Sequence, residues 1–135
     1  MSAEDAQVLA RFEAAIAAFN EGGGEAFLEF ATEDVRLATA SGFPGGGSFG
    51  GRVQVERYIQ EFSSNWASVR YEYERPRVEH GAVVHLARWV VRGSEPGSEV
   101  SAEVFGVASF RGDDIDALEL FWTEDEATKH ARGER

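Results

Sequence analysis

The chain contains no cysteine. No disulfide can staple it, and no thiolate can serve as nucleophile or metal ligand. That absence fits a cytoplasmic protein. It also lacks an apolar run of the roughly 20 residues needed to span a bilayer, so no membrane association is expected. Its start, Met1-Ser2-Ala3-Glu4-Asp5, has no basic region and no apolar signal core, which predicts no secretory leader. Positive charge is scarce: 13 Lys and Arg stand against 24 Asp and Glu, a formal net charge of −11. Such a surface repels a phosphate backbone, which argues against a nucleic-acid partner.

Apolar and aromatic residues are plentiful. The 135 residues are 43% hydrophobic and include 10 Phe, 3 Trp and 3 Tyr, enough for one real core. Val8, Leu9, Phe12, Ile16 and Phe19 recur at helical spacing among alanines. Ser2 and Asp5 fit a capping pattern at the start, and Gly22-Gly23-Gly24 predicts a stop. A short second helix is predicted over about 25–31 and a first strand over about 33–40. A glycine-rich loop, 41–51, leads into a third helix over about 52–65, striped by Val55, Tyr58, Ile59, Phe62 and Trp66.

The period then changes to two. Strands are predicted at about 69–79, 82–92, 99–111 and 115–122, joined by hairpin-like turns such as Glu79-His80-Gly81. Thr123 to Glu126 forms a second capping pattern that starts a short terminal helix. Three helices followed by a run of antiparallel strands make an α+β domain over 1–135, not a doubly wound parallel sheet. The last strands are apolar on both faces: Leu118, Leu120 and Trp122 against Ile115, Ala117 and Phe121. One face can pack on the helices and the other on a second subunit, which predicts a homodimer.

This order of elements and its local motifs resemble the SnoaL-like branch of the nuclear transport factor 2-like superfamily. The resemblance rests on Phe19-Asn20-Glu21-Gly22 closing the alanine-rich helix, on Phe27-Leu28-Glu29-Phe30, and on the strand start Asp34-Val35. It rests also on Gly47-Ser48-Phe49-Gly50-Gly51-Arg52 before the third helix, on Trp66, and on the final hairpin around Phe110-Arg111-Gly112-Asp113-Asp114-Ile115. Thr123 stands where the family often has Asp, and Asp113-Asp114 where Gly-Lys is common. The resemblance implies a cone-shaped fold, with three N-terminal helices packed on a strongly curved, mainly antiparallel sheet that encloses a pocket. It does not imply one activity, because relatives include cyclases, isomerases, epoxide hydrolases, dehydratases and non-catalytic binding modules.

Other motifs have plainer readings. Gly45 to Gly50 matches G-x-G-x-x-G, but in a stretch this rich in glycine the match carries little, and a loop at a pocket mouth is expected instead. Arg111-Gly112-Asp113 sits where turn chemistry explains it. His80 and His85 differ by an odd offset and would face opposite ways on one strand, so no metal site is expected, and no cofactor.

The chemistry-bearing candidates are polar residues inside apolar strands: His85, Glu103 and Glu119. A carboxylate in an apolar pocket is pushed toward its protonated form and can act as general acid or base, with an imidazole to shuttle a proton. The competing reading pairs the glutamates with Arg88, Arg92 or Arg36. Glu119 is expected to project into the pocket, because Ile115 and Phe121 share its face by even offset. Tyr58, Trp66, Trp89 and Phe49 are expected to line or close the pocket. The expected partner is a small apolar molecule. The expected activity is cyclisation, isomerisation or dehydration of a polyketide-, steroid- or terpenoid-like substrate. The alternatives are a non-catalytic ligand-binding or dimerisation module and, third, an epoxide hydrolase, which would need an Asp-Arg-Asp constellation that Asp113, Asp114 and Asp116 do not obviously make.

Overall fold

The computed structural model describes residues 1–43 and 46–133. Pro44 and Gly45, the latter opening the glycine motif, lie outside the described residues. The elements run α1 (Ala3–Leu28), β1 (Ala31–Ala38), β2 (Ser48–Gly50), α2 (Arg52–Ser64), β3 (Ser68–Glu79), β4 (Ala82–Arg92), β5 (Glu99–Arg111), β6 (Asp114–Phe121) and α3 (Glu124–Ala131).

The six strands form one curved, open sheet in the order β2-β1-β6-β5-β4-β3. β1 and β6 are parallel and every other neighbouring pair is antiparallel. α1 and α2 lie on the inner face. Between them and the sheet sits the main core, which includes Phe12, Ile16, Phe19, Leu28, Val35, Val55, Val83, Val104, Ile115, Leu118 and Leu120.

The expected three N-terminal helices are corrected to two. The Gly22-Gly23-Gly24 stop is only a kink, because Gly23 alone leaves helical geometry, at φ 76° and ψ −162°. The segment expected as a second helix is therefore the end of α1. Gly24 is buried there, and a Cβ on it would lie 2.9 Å from an Ile59 methyl. Glycine at 24 thus lets α1 approach α2 closely. Arg52, at the start of α2, donates to the Leu28 carbonyl at the end of α1 and pairs with Glu33 at 3.3 Å. The third helix, α3, is C-terminal. Its Thr123–Glu126 capping box forms as the sequence predicts.

α3 also revises the reading of the two-sided strands. It lies on the outer face, where Ala127 and Ala131 pack with Ala82, Val84, Val107, Phe105 and Phe121. Much of the second apolar face is covered by the chain's own C-terminus. Beyond α3, the outer face is polar: Arg88 lies 2.7 Å from Glu103, 3.6 Å from Glu72 and 3.8 Å from Glu74.

Candidate functional site

Even offsets along β4 set the site. Val83, His85, Ala87, Trp89 and Val91 all face inward and meet Ala108, Gly106, Val104, Ala102 and Val100 of β5. Opposite them, α2 presents Tyr58 and Phe62, one turn apart, with Trp66 just beyond its end. Between these walls lie two adjoining spaces. The inner chamber measures about 30 Å³, room for a water or two. Its walls are almost wholly apolar: Ile16, Phe19, Phe27, Val35, Leu37, Val55, Ile59, Leu118 and Leu120, with the rings of Tyr71 and Trp89. The outer groove, about 650 Å³, runs between α2 and the ends of β4 and β5. Phe43, Tyr58, Phe62 and Trp89 border both spaces.

The rings between the spaces brace one another. Phe49 stacks on Tyr58 at 4.3 Å between ring centres. Phe62 meets Trp89 at 5.6 Å, and Trp89 meets Tyr71 edge-on at 4.8 Å. Such pairs prefer offset or edge-to-face geometry and hold each other's rotamers. The loop carrying Phe43 is pinned at its base, where the Gly47 amide donates to the Thr39 hydroxyl at 2.7 Å. The Trp122 indole donates to the Ser41 carbonyl at 2.6 Å.

Against Tyr71, and outside the chamber's lining, sits His85, 1% exposed. Its Nδ1 lies 3.2 Å from the Val83 carbonyl, which can only accept, so Nδ1 carries the proton. Nε2 then accepts from the Tyr71 hydroxyl at 2.6 Å. Burial pulls the imidazole down to about 4, partly opposed by the Val83 hydrogen bond, so the ring is neutral at pH 7. Burial also pushes the Tyr71 phenol up. Gly106 makes room for the pair, since a Cβ there would collide with the imidazole and lie 2.9 Å from the Tyr71 hydroxyl. Asn20 fixes Tyr71 from the far side: its amide nitrogen donates to the Tyr71 carbonyl at 2.9 Å, and its oxygen accepts from the Tyr71 amide at 2.8 Å.

The three acid–base candidates do not converge. His85 is inside, but Tyr71 separates it from the chamber. Glu103 is on the outer face and half-exposed, bonded to Arg88. Glu119, expected inward, is corrected to the outer face. It bonds Arg36 at 3.1 Å and His130 of α3 at 2.8 Å. The physical reason is a bulge. Phe110 pairs with Ile115 and Ser109 with Ala117, so Asp116 is an extra residue in β6. One inserted residue reverses the alternation, so Ile115 faces in while Ala117, Glu119 and Phe121 face out.

The apolar candidates fare differently. Tyr58 and Trp89 border both spaces, Trp66 lines the outer groove, and Phe49 backs Tyr58. Tyr71 was not singled out by sequence; a glycine inside the apolar strand β5 was the available signal, since it marks close approach of another group. Arg111 of the Arg-Gly-Asp turn is bound to Asp34 at 2.6 Å, which holds the Asp34 carboxyl down at about 2. Among the described residues, no group of three or more His, Asp or Glu is arranged to hold a metal ion, and no helix is long and apolar enough to cross a membrane.

A family model for the SnoaL-like domain matches residues 12–125. No curated protein gives a significant match. Solved structures are similar over nearly the whole chain. TerC co-crystallised with polyporic acid shares 15% identity, with TM-score 0.73, over 89% of this chain and 94% of its own. An NTF2-like protein of unknown function from Burkholderia pseudomallei K96243 shares 19%, with TM-score 0.73, over 93% and 95%. The BvnE pinacolase from Penicillium brevicompactum shares 15%, with TM-score 0.73, over 93% and 92%. At such identities the likeness is one of fold.

Proposed function

We propose, for a chain that belongs to the SnoaL-like domain family, that the aromatic groove and the apolar chamber behind it bind one small, mostly apolar molecule. The observation that carries this reading is that the two spaces adjoin and share the walls Phe43, Tyr58, Phe62 and Trp89. The groove has the volume usual for a small-molecule site, roughly 300–1,000 Å³. The chamber is narrow as it stands. A ligand therefore sits mainly in the groove and enters the chamber by displacing rings.

Binding leads over acid–base catalysis because neither glutamate reaches the chamber. Titrating the protein with apolar carbonyl compounds, followed by Trp fluorescence and melting temperature, tests the reading. Trp89→Leu should weaken binding and reduce the fluorescence response, leaving Trp66 as the groove's remaining reporter. A panel that shifts neither signal removes the proposal.

A second reading, cyclisation, isomerisation or dehydration of a polyketide-, steroid- or terpenoid-like carbonyl, is favoured by one observation: the neutral Tyr71–His85 pair, of which Tyr71 lines the chamber. A substrate oxygen reaching Tyr71 would receive a hydrogen bond in place of His85. Turnover by mass spectrometry, lost in both Tyr71→Phe and His85→Leu while binding persists, would establish it.

For the assembly, we propose a homodimer through the outer face that α3 leaves open. Half-buried Leu86 and Val90 flank the Arg88 cluster there. Light scattering at micromolar concentration decides this, and a monomeric mass removes it.

A further inference from the structure

Glu61 and Asn65 stand three and seven residues after Tyr58, on the same side of α2 as Phe62 and Trp66. All five line the outer groove. Across from them are Trp89 and Val91 of β4 and Val100, Ser101 and Ala102 of β5. Among the described residues, Glu61 is the one carboxylate in this lining, and no Lys, Arg or His accompanies it. Among the described residues, its carboxylate has no hydrogen-bond or ion-pair partner; the side chains of Ser64 and Asn65 bond only its backbone carbonyl. The chamber behind is also poor in positive charge. Among the described residues, Arg36 is its single cationic lining residue, and that guanidinium is drawn to Glu119 on the outer face.

Taking the groove as the binding site, we propose that it selects a cationic ligand: an apolar body bearing a tertiary or quaternary ammonium head. The head sits over the Trp66 and Trp89 rings, with Glu61 as counter-charge. The electron-rich ring faces attract a cation, and a substituted ammonium is weakly hydrated, so it loses little on leaving water. Glu61 adds a direct electrostatic term at the groove's edge. The chain's net charge of −11 concentrates cations near the mouth and repels anions. An anionic ligand would find, among the described residues, no counter-charge in the groove, and in the chamber only Arg36, already paired with Glu119. An exposed helix carboxylate is ordinarily only a solvated charge; its place on the ring stripe, within a groove otherwise empty of charge, is what gives Glu61 a ligand to meet.

Three probes of similar shape separate charge from area: benzyltrimethylammonium, its all-carbon isostere neopentylbenzene, and benzylsulfonate. Each is titrated against the full chain by Trp fluorescence, at low and raised salt. The ammonium should bind on the order of tenfold more tightly than the isostere, and the sulfonate more weakly than either. Raised salt should narrow the gap. Glu61→Gln, exposed and without partners to lose, should keep its melting temperature. It should lose much of the ammonium's advantage over the isostere, the remainder being the attraction of the Trp66 and Trp89 rings. Equal affinities for ammonium and isostere, a preference for the sulfonate, or an ammonium preference untouched by Glu61→Gln would each overturn the inference while the groove remains a binding site. No response to any probe would overturn the binding reading and this inference with it.

Discussion

The inner and outer faces of β4, β5 and β6 are built from alternate residues of the same strands, yet they follow opposite rules. Inside, His85, Trp89, Gly106 and Leu120 meet rings and aliphatic chains, and the polar atoms of the Tyr71–His85 pair are satisfied by each other and by the Val83 carbonyl. Outside, Arg88, Glu103 and Glu119 form ion pairs with access to water, and α3 covers only part of the apolar surface. The same residue type therefore means different things on the two sides. A glutamate outside is a replaceable ion-pair partner. A histidine inside is held neutral and cannot easily be changed.

Gly106→Val should break this difference most severely. Its side chain would enter the space of the imidazole and the Tyr71 hydroxyl. Overpacking of this kind typically costs about 1–3 kcal/mol, and loss of the buried hydrogen bond adds about 1–3 kcal/mol more. Urea denaturation should show the midpoint falling by the corresponding amount.

The buried histidine gives the next effect. Its folded value, about 4, lies below the ordinary imidazole value of 6.5. Between those values the unfolded chain binds more protons than the folded one, so stability is full above about pH 6.5 and is lost as pH falls toward 4. The whole loss is roughly 3 kcal/mol at 1.36 kcal/mol per unit. Asp34 contributes only at lower pH, because its own window runs from 3.8 down to about 2. Urea melts at pH 7.5 and 4.5 should differ in the native chain, and the difference should shrink in the double variant Tyr71→Phe with His85→Leu. Tyr71→Phe alone should cost about 1–3 kcal/mol, because it leaves Nε2 buried without a donor. The double variant should recover part of that cost.

The outer face sharpens the contrast with small effects. Glu119→Gln keeps shape but weakens the links to Arg36 and His130, and should cost about 1 kcal/mol. Glu103→Gln, in a half-exposed pair, should cost less, from about 0 to 1 kcal/mol. Neither should change binding in the groove. A loss of ligand affinity in Glu119→Gln, with stability intact, would mean that the two faces communicate.

Local signals in the chain carried most of the fold. Periodicity gave the helix expected at about 52–65, found at Arg52–Ser64, and strands expected at about 82–92 and 99–111, found at Ala82–Arg92 and Glu99–Arg111. It erred where a feature depends on tertiary contact. Gly22 and Gly24 stay helical because α1 continues under α2, which no local rule contains. β2 was read as loop, since three residues pairing with β1 have no period of their own. The site was legible in its walls, Tyr58, Trp66 and Trp89, because ring spacing on a helix and parity on a strand are local properties. Glu119 was misplaced because parity was carried across Asp116, where the pairing slips. The Tyr71–His85 pair was invisible because it forms between strands, 14 residues apart in sequence.

Asn20 touches the edge of the sheet where, among the described residues, β3 has no further neighbouring strand. Offering one donor and one acceptor to the same residue, its amide behaves as a single peptide unit of a strand that is not there. An incoming chain seeking to extend the sheet at Tyr71 finds both backbone groups already taken. The contact that anchors Tyr71 beside the chamber thus also guards the molecule against growth by edge-to-edge pairing.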